Sequence, residues 1–351
     1  MTQLLALIRD EIAANGPISV ARYMELALQH PVHGYYRQRN PLGAEGDFVT
    51  APDISQMFGE LIGLWCADVW RQMGKPDDFL LLELGPGRGT LMQDALRATA
   101  KIAGFHQASH LWLLESDAPL IAEQKKRLAA HDPVHCADLT QLPALPLLVV
   151  ANEFFDALPI RQFMKTGAEW RERMVANQDG GLAFVEGEAV DAPEVSDTSA
   201  TSFLESSPLS LAFMQKLATH IARHGGAGLF IDYGYVAPNG GSTLQAVARH
   251  AYAPVLERPG EVDLTAHVDF TALRQMAEWS GARAWGPVGQ GAFLESLGIE
   301  LRAAQLNHNA TPEQAEAIRA SVHRLTDSSQ MGVLFKVLGI ASPALQVAGF
   351  P

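Results

Sequence analysis

The sequence predicts an α/β fold built on a mostly parallel sheet, with an N-terminal helical extension and a β-rich insert. Three observations carry that reading. An apolar run, Phe79 to Leu82, ends in Glu83 and three glycines, Gly85, Gly87 and Gly89, ahead of a helix-like segment. Strand-like and helix-like segments then alternate as far as residue 151. Acids recur just after successive strand-like runs: Glu83, Glu115, Asp138, Glu153 with Asp156, and Asp232. Such alternation predicts right-handed crossovers and a ligand at the carboxyl ends of the strands.

In chain order, Leu4, Leu7, Ile8 and Ile12 recur at helical spacing until Asn15-Gly16-Pro17 ends the pattern. Ser19 is placed to cap a second helix through Leu28. The stretch from His30 to Asp53 is long for a structureless connection, and long ordered loops tend to be functional. A largely buried helix is expected from Ile54 to Met73. After the Phe79 strand come a helix from Leu91 to Arg97, a strand from Leu111 to Leu114 and a helix from Leu120 to Ala129. A weak third strand follows at Val134 to Cys136, and a clear fourth at Leu147 to Ala151.

Regularity then breaks. Arg161 to Lys165, Glu169 to Val175 and Leu182 to Glu186 read as a β-meander, and the acidic residues 187–208, rich in Ser, Thr, Ala and Pro, as a mobile loop. Leu209 to Arg223 restores a helix and Gly228 to Ile231 a fifth strand. Later strands are expected at Ala282 to Trp285 and Met331 to Leu338, with helices at Phe270 to Ser280 and Pro312 to Leu325. These readings divide the chain into an N-terminal region (1–76), a core (77–160 and 209–351) and an insert (161–208).

The chain has 351 residues, enough for a sizeable core, and an ordinary globular composition of 48% hydrophobic and 19% charged residues. A formal net charge of −13 argues against a nucleic-acid binder, which needs a basic stripe. It suits a cationic protein partner. The two cysteines, Cys66 and Cys136, suggest neither a disulfide framework nor a zinc site. The acids Asp10 and Glu11 close to the start fit neither a signal peptide nor a membrane span, so a cytoplasmic location is expected. The oligomeric state is not legible.

The glycines choose among cofactors. The dinucleotide fingerprint G-x-G-x-x-G fails, because Thr90 stands where its third glycine belongs, and no Lys-Ser or Lys-Thr pair completes a phosphate loop. Acidic-x-G-x-G-x-G at the end of a first strand remains, and it resembles motif I of the class I methyltransferases that use S-adenosyl-L-methionine (SAM). The chemistry suits it: Glu83 offers a carboxylate to an ammonium and a sulfonium. Glu115 suits ribose hydroxyls, as a carboxylate accepts two hydrogen bonds, and Asp138 the adenine amino group. Both acids also read as helix caps or solvated loop residues.

Glu153 and Asp156 lie in N-E-F-F-D-A-L-P, where methyltransferases commonly face the methyl acceptor, while Asn152 at its start is assigned to the cofactor. Two carboxylates beside two aromatics suggest a cationic acceptor, and a guanidinium offers planar donors that carboxylates grip in pairs. The other reading makes Glu153 a turn cap and the phenylalanines core. His250 and His267 titrate near neutral pH and suit proton transfer, although a lone histidine is more often structural. The pairs His131/His135 and His220/His224 lack an obvious third ligand, so no metal is expected.

Several blocks together, G-D-F-V-T-A-P-D-I-S-Q-M-F-G-E-L-I-G, L-E-L-G-P-G-R-G-T-L-M-Q-D, A-N-E-F-F-D-A-L-P, I-D-Y-G and D-L-T-A-H-V-D-F, resemble the MidA-like SAM-dependent methyltransferases. The resemblance runs from about Ile18 to Leu338, outside the acidic loop. It implies a class I methyltransferase sheet, SAM as cofactor, and a covering loop in which Gly46, Asp47, Phe48, Thr50 and Pro52 close over it. Asp53 stands where the family commonly has glutamate. Mitochondrial members of the family methylate an arginine of a complex I partner subunit, which makes a protein arginine the implied acceptor. A SAM-binding assembly factor and a small-molecule methyltransferase are the alternatives.

Overall fold

A computed structural model describes residues 2–38, 50–191, 201–237, 240–248 and 251–350. Gly46, Asp47, Phe48 and His250, and residues 192–200 of the acidic stretch, lie outside the described residues. The chain forms two units, each drawn from three stretches. One comprises Met1–Phe48, Phe155–Ala212 and Tyr235–Ala272; the other comprises Val49–Phe154, Phe213–Gly234 and Leu273–Pro351.

The second unit is built on strands β1 (Phe79–Leu84), β2 (Ser109–Leu114), β3 (Val134–Cys136), β4 (Leu147–Asn152), β5 (Gly226–Tyr235), β6 (Arg283–Gly289) and β7 (Phe335–Ala341). Their order across the sheet is β6-β7-β5-β4-β1-β2-β3. The five strands from β5 to β3 run parallel to their neighbours, while β7 is antiparallel to both β5 and β6. Every residue of β1 and of β4 is buried, which is why both read as unbroken apolar runs instead of alternating ones. The chain leaves β1 in one direction and returns to β4 on its other side. That reversal opens a crevice at the carboxyl ends of β1 and β4, the place where open α/β sheets bind ligands. Phe58, Trp65, Phe79, Val150, Ile231 and Phe293 belong to the core of this unit.

The helices of this unit that bear on the crevice are α1 (Ala51–Ile54), α2 (Gln56–Gln72), α3 (Thr90–Thr99) and α4 (Ala118–Arg127). The single helix expected from Ile54 is interrupted at Ser55, whose backbone is extended and whose hydroxyl accepts from Met57 N to cap α2. The expected strand from Met331 begins only at Phe335, because Met331–Leu334 forms a helical turn. Two further helices, Gln290–Ser296 and Ile299–Asn307, had no sequence expectation.

The first unit holds helices Gln3–Asn15 and Val20–Gln29 with two small sheets. The meander strands Arg161–Thr166, Glu169–Gln178 and Gly181–Val190 are joined by Ile18–Ser19 and by Phe203–Ser206, a strand within the stretch expected to be a loop. Gln245–Ala248, Ala251–Ala253 and Asp263–Thr265 make a three-stranded antiparallel sheet. The division therefore runs differently from the expected 1–76, 161–208 and remaining core. Leu244, Ala246, Val262 and Leu264 pack with Leu4, Ile8, Tyr23 and Met24 in one apolar core, which draws 235–272 to the N-terminal helices. Residues 49–76 go the other way, because α2 packs into the core of the second unit.

Candidate active site

The turn after β1 needs its glycines. Gly85, Gly87 and Gly89 take φ of 60°, 52° and 77°, in the left-handed region that side chains avoid. At Gly85 a Cβ would also stand 2.9 Å from Phe154 Cδ2, so the turn and the segment after β4 touch only because the side chain is missing. Gly89 is the N-cap of α3 and aims that helix's N-terminus along the turn.

Glu83 is 3% exposed, and its Oε2 has no hydrogen-bond partner among the described residues. Burial pushes its carboxyl up to about 8. The Oδ1 of Asn152 is also buried without a partner among the described residues. Both atoms stand towards the carboxyl ends of adjacent strands, β1 and β4, and each lacks a partner among the described residues. A ligand bearing an ammonium group meets that need. Glu115 is held differently: its Oε1 accepts from Ser116 N at 2.8 Å and Asp117 N at 2.9 Å. Burial raises its carboxyl above the ordinary range against those bonds.

Glu153 follows β4 with a φ of 50°, unusual for a residue with a side chain. Its Oε1 accepts from Asn152 Nδ2 at 3.1 Å and from Ala51 N at 3.2 Å. Phe154 N in turn donates to Asp232 Oδ2, so an acid within β5 steadies the turn after β4. Backbone strain of this kind persists where surrounding contacts enforce it, and it gathers at functional sites. The segment carrying Thr50 is tied to the glycine turn as well. Asp53 accepts from Thr50 Oγ1, from Arg88 Nη2 at 2.9 Å and from Thr90 Oγ1 at 3.4 Å.

Among the residues expected at the site, Thr50, Glu83, Gly85, Gly87, Gly89, Glu115, Asp138, Asn152 and Glu153 all lie in the second unit. Asp138 is exposed and caps a short 3-10 helix, accepting from Thr140 N at 2.6 Å. Its Oδ2 lies 3.7 Å from Lys216 Nζ. Asp156 and His267 belong to the first unit, where Asp156 O accepts from Ala266 N at 2.9 Å. There His267 N donates to Thr243 Oγ1, and Thr243 to the buried Glu205. Sequence reasoning missed Asp53 with Arg88, and it missed Gln124. Nothing in the sequence marks Gln124, which stands among Glu123, Lys125 and Lys126.

The profile of the S-adenosyl-L-methionine-dependent methyltransferase family matches residues 61–288 of the chain. The chain belongs to this family. The fly relative named protein arginine methyltransferase NDUFAF7 homolog, mitochondrial (Drosophila melanogaster), is 37% identical, over 95% of this chain and 83% of its own. The human protein arginine methyltransferase NDUFAF7, mitochondrial, is 34% identical, over 97% of this chain and 83% of its own. A Burkholderia thailandensis protein crystallised with S-adenosyl-homocysteine superposes with a TM-score of 0.84 at 28% identity, covering 99% of this chain and 93% of that one.

The methyltransferase thus has the class I fold and uses SAM, as its strand order and relatives agree. The residues present fit that cofactor: a carboxyl awaiting a cation, a glycine turn that a Cβ would block, and a second carboxylate held by backbone N–H groups. The relatives' names place them in mitochondria, and nothing in the comparisons supports the cytoplasmic location expected above.

Proposed function

We propose that this methyltransferase transfers the SAM methyl group to an arginine side chain of a protein. The carrying observation is Glu153 at the carboxyl end of β4, its backbone at a φ of 50° and its Oε1 accepting from Asn152 Nδ2 and Ala51 N. The names of the relatives support the acceptor class. SAM supplies an electrophilic methyl carbon on a sulfonium. In our reading Glu83 receives the cofactor's ammonium group, Glu115 its ribose hydroxyls and Asp138 its adenine amino group. The turn at Gly85, Gly87 and Gly89, with Asn152 and Thr50, completes the cradle, and Gly46 and Asp47 are assigned to the cofactor by the family resemblance alone.

Glu153 grips the acceptor guanidinium, holding positive charge on the far nitrogens and leaving a lone pair on the attacking one. That lone pair attacks in line. With SAM bound, the new C–N bond would form as the C–S bond broke, its electrons passing to sulfur and the nitrogen shedding a proton to a base or to water. Asp156 and His267 are kept in the reading as acceptor-side residues on the sequence argument. A subunit of respiratory complex I is our finer expectation for the acceptor, carried by the family resemblance.

The test pairs binding with transfer. Glu153→Gln is expected to bind SAM within about threefold of wild type by calorimetry while labelled-methyl transfer to protein falls about a hundredfold or more. Peptide mass spectrometry should place the label on arginine. Undiminished transfer by Glu153→Gln removes it from the site, and label on a residue other than arginine overturns the acceptor.

A further inference from the structure

Helix α4 buries one side chain completely, and that side chain is polar. Gln124 is 0% exposed, while its helical neighbours are at most partly covered. An amide in such a place is costly unless its groups are used, and here they are. Nε2 donates to Gly87 O at 2.6 Å and to Glu115 Oε2 at 3.3 Å. The Gly87 carbonyl can only accept, so it sets which way the amide points. Its Oε1 then faces His135 Nε2 at 2.9 Å, and because that oxygen can only accept, the imidazole carries its proton on Nε2.

One amide therefore joins the glycine turn after β1, the acid after β2 and the strand β3. A second observation agrees with the first. A Cβ on Gly89 would meet Leu128 Cδ1 at 3.4 Å and Gln124 Cγ at 3.7 Å, so the turn packs directly on α4. With Ser116 N and Asp117 N on one Glu115 oxygen and Gln124 on the other, the plane of that carboxylate is fixed from two sides.

We propose that Gln124 is a positioning residue of the cofactor site, its amide setting the distance between the Gly87 carbonyl and the Glu115 carboxylate so that the ribose of SAM meets a prearranged acceptor. The inference rests on the reading of Glu115 as the ribose ligand. Gln124 lies behind the cradle, and its effect reaches the cofactor only through Glu115 and the turn. Prearrangement of this kind raises affinity by removing the cost of ordering the carboxylate on binding.

The experiment compares S-adenosyl-homocysteine with its 2′-deoxy analogue, titrated by calorimetry into the full chain. Wild type is expected to prefer the parent ligand. Gln124→Met keeps the volume and loses the amide; it should bind S-adenosyl-homocysteine about tenfold more weakly and lose most of the preference. Weakening both ligands by one factor, or neither, overturns the proposal. Glu115→Gln separates the two readings. If wild type shows no preference, or Glu115→Gln keeps it, the ribose assignment falls and the proposal with it. If Glu115→Gln abolishes the preference and Gln124→Met does not, only the positioning role falls. Should Gln124→Met fail to fold, Gln124→Glu serves, since a protonated carboxyl still donates and an ionised one repels Glu115. Its preference for the parent ligand should decline as pH rises, while that of wild type stays level; a level profile in the variant overturns the proposal.

Discussion

A carboxyl without a donor at the edge of an apolar sheet keeps its proton. Glu83 does so up to about pH 8, against an ordinary value of 4.5, and burial is the cause. Between those two values the folded chain binds more protons at this group than the unfolded chain does. Its contribution to stability is therefore greatest at low pH and is lost as pH rises through the folded value. In the absence of SAM, Glu83→Gln should flatten that part of the fall in melting temperature between about pH 6 and 8, measured by scanning calorimetry. Binding a cofactor ammonium demands the ionised form. At pH 7, titrations in buffers of different ionisation enthalpy should report release of up to about one proton, absent in Glu83→Gln. The sequence displayed this acid and its glycines plainly, since all are read from consecutive positions. Gln124 was not legible, because a glutamine among Glu123, Lys125 and Lys126 looks like solvent-facing surface, and only the fold shows it turned inward.

At the scale of elements, the glycine turn is held from outside its own sequence. Asp53 on α1 pairs with Arg88, the two being 13% and 29% exposed. Asp53→Ala should cost about 1–2 kcal/mol in urea unfolding and weaken SAM binding, whereas Asp53→Glu keeps the pair and loses little. Gly85→Ala acts on the turn itself. Its Cβ would sit 2.9 Å from Phe154 Cδ2 at a φ of 60°, so we expect about 1–3 kcal/mol of destabilisation by urea unfolding and loss of measurable SAM binding. The parallel strands were legible because burial on both faces leaves an apolar run closed by an acid. The turn at Met331–Leu334 was not, since its apolar letters continue into the strand from Phe335 without a break in composition. Phe203–Ser206 was hidden for the opposite reason. Glu205 and the serines beside it read as loop, yet Glu205 is buried and bonded to Gln162 and Thr243.

At the scale of the molecule each unit has its own main apolar core among the described residues, one including Tyr23, Met24 and Leu264, the other Phe58, Trp65 and Phe79. Unfolding followed by calorimetry should depart from a single two-state transition. S-adenosyl-homocysteine at a hundred times its Kd should add about 2.7 kcal/mol to the transition of the unit carrying β1 and β4. Hydrogen exchange at Leu81 and Val149 identifies that transition; equal protection at Met24 would contradict the assignment. The two units were not legible as contiguous blocks, because the chain passes from one to the other after residues 48, 154, 212, 234 and 272. That interlacing has a consequence for synthesis. Leu4 and Ile8 leave the ribosome long before Val262 and Leu264, which cover them, so the first core cannot close until most of the chain is made. The second waits longer still. β7 lies between β5 and β6 and follows both in sequence, so among the described residues β6 has no neighbour to pair with until residues 335–341 appear. Apolar residues of both cores thus wait uncovered for partners far along the chain, and such exposed surface is open to misassembly until they arrive.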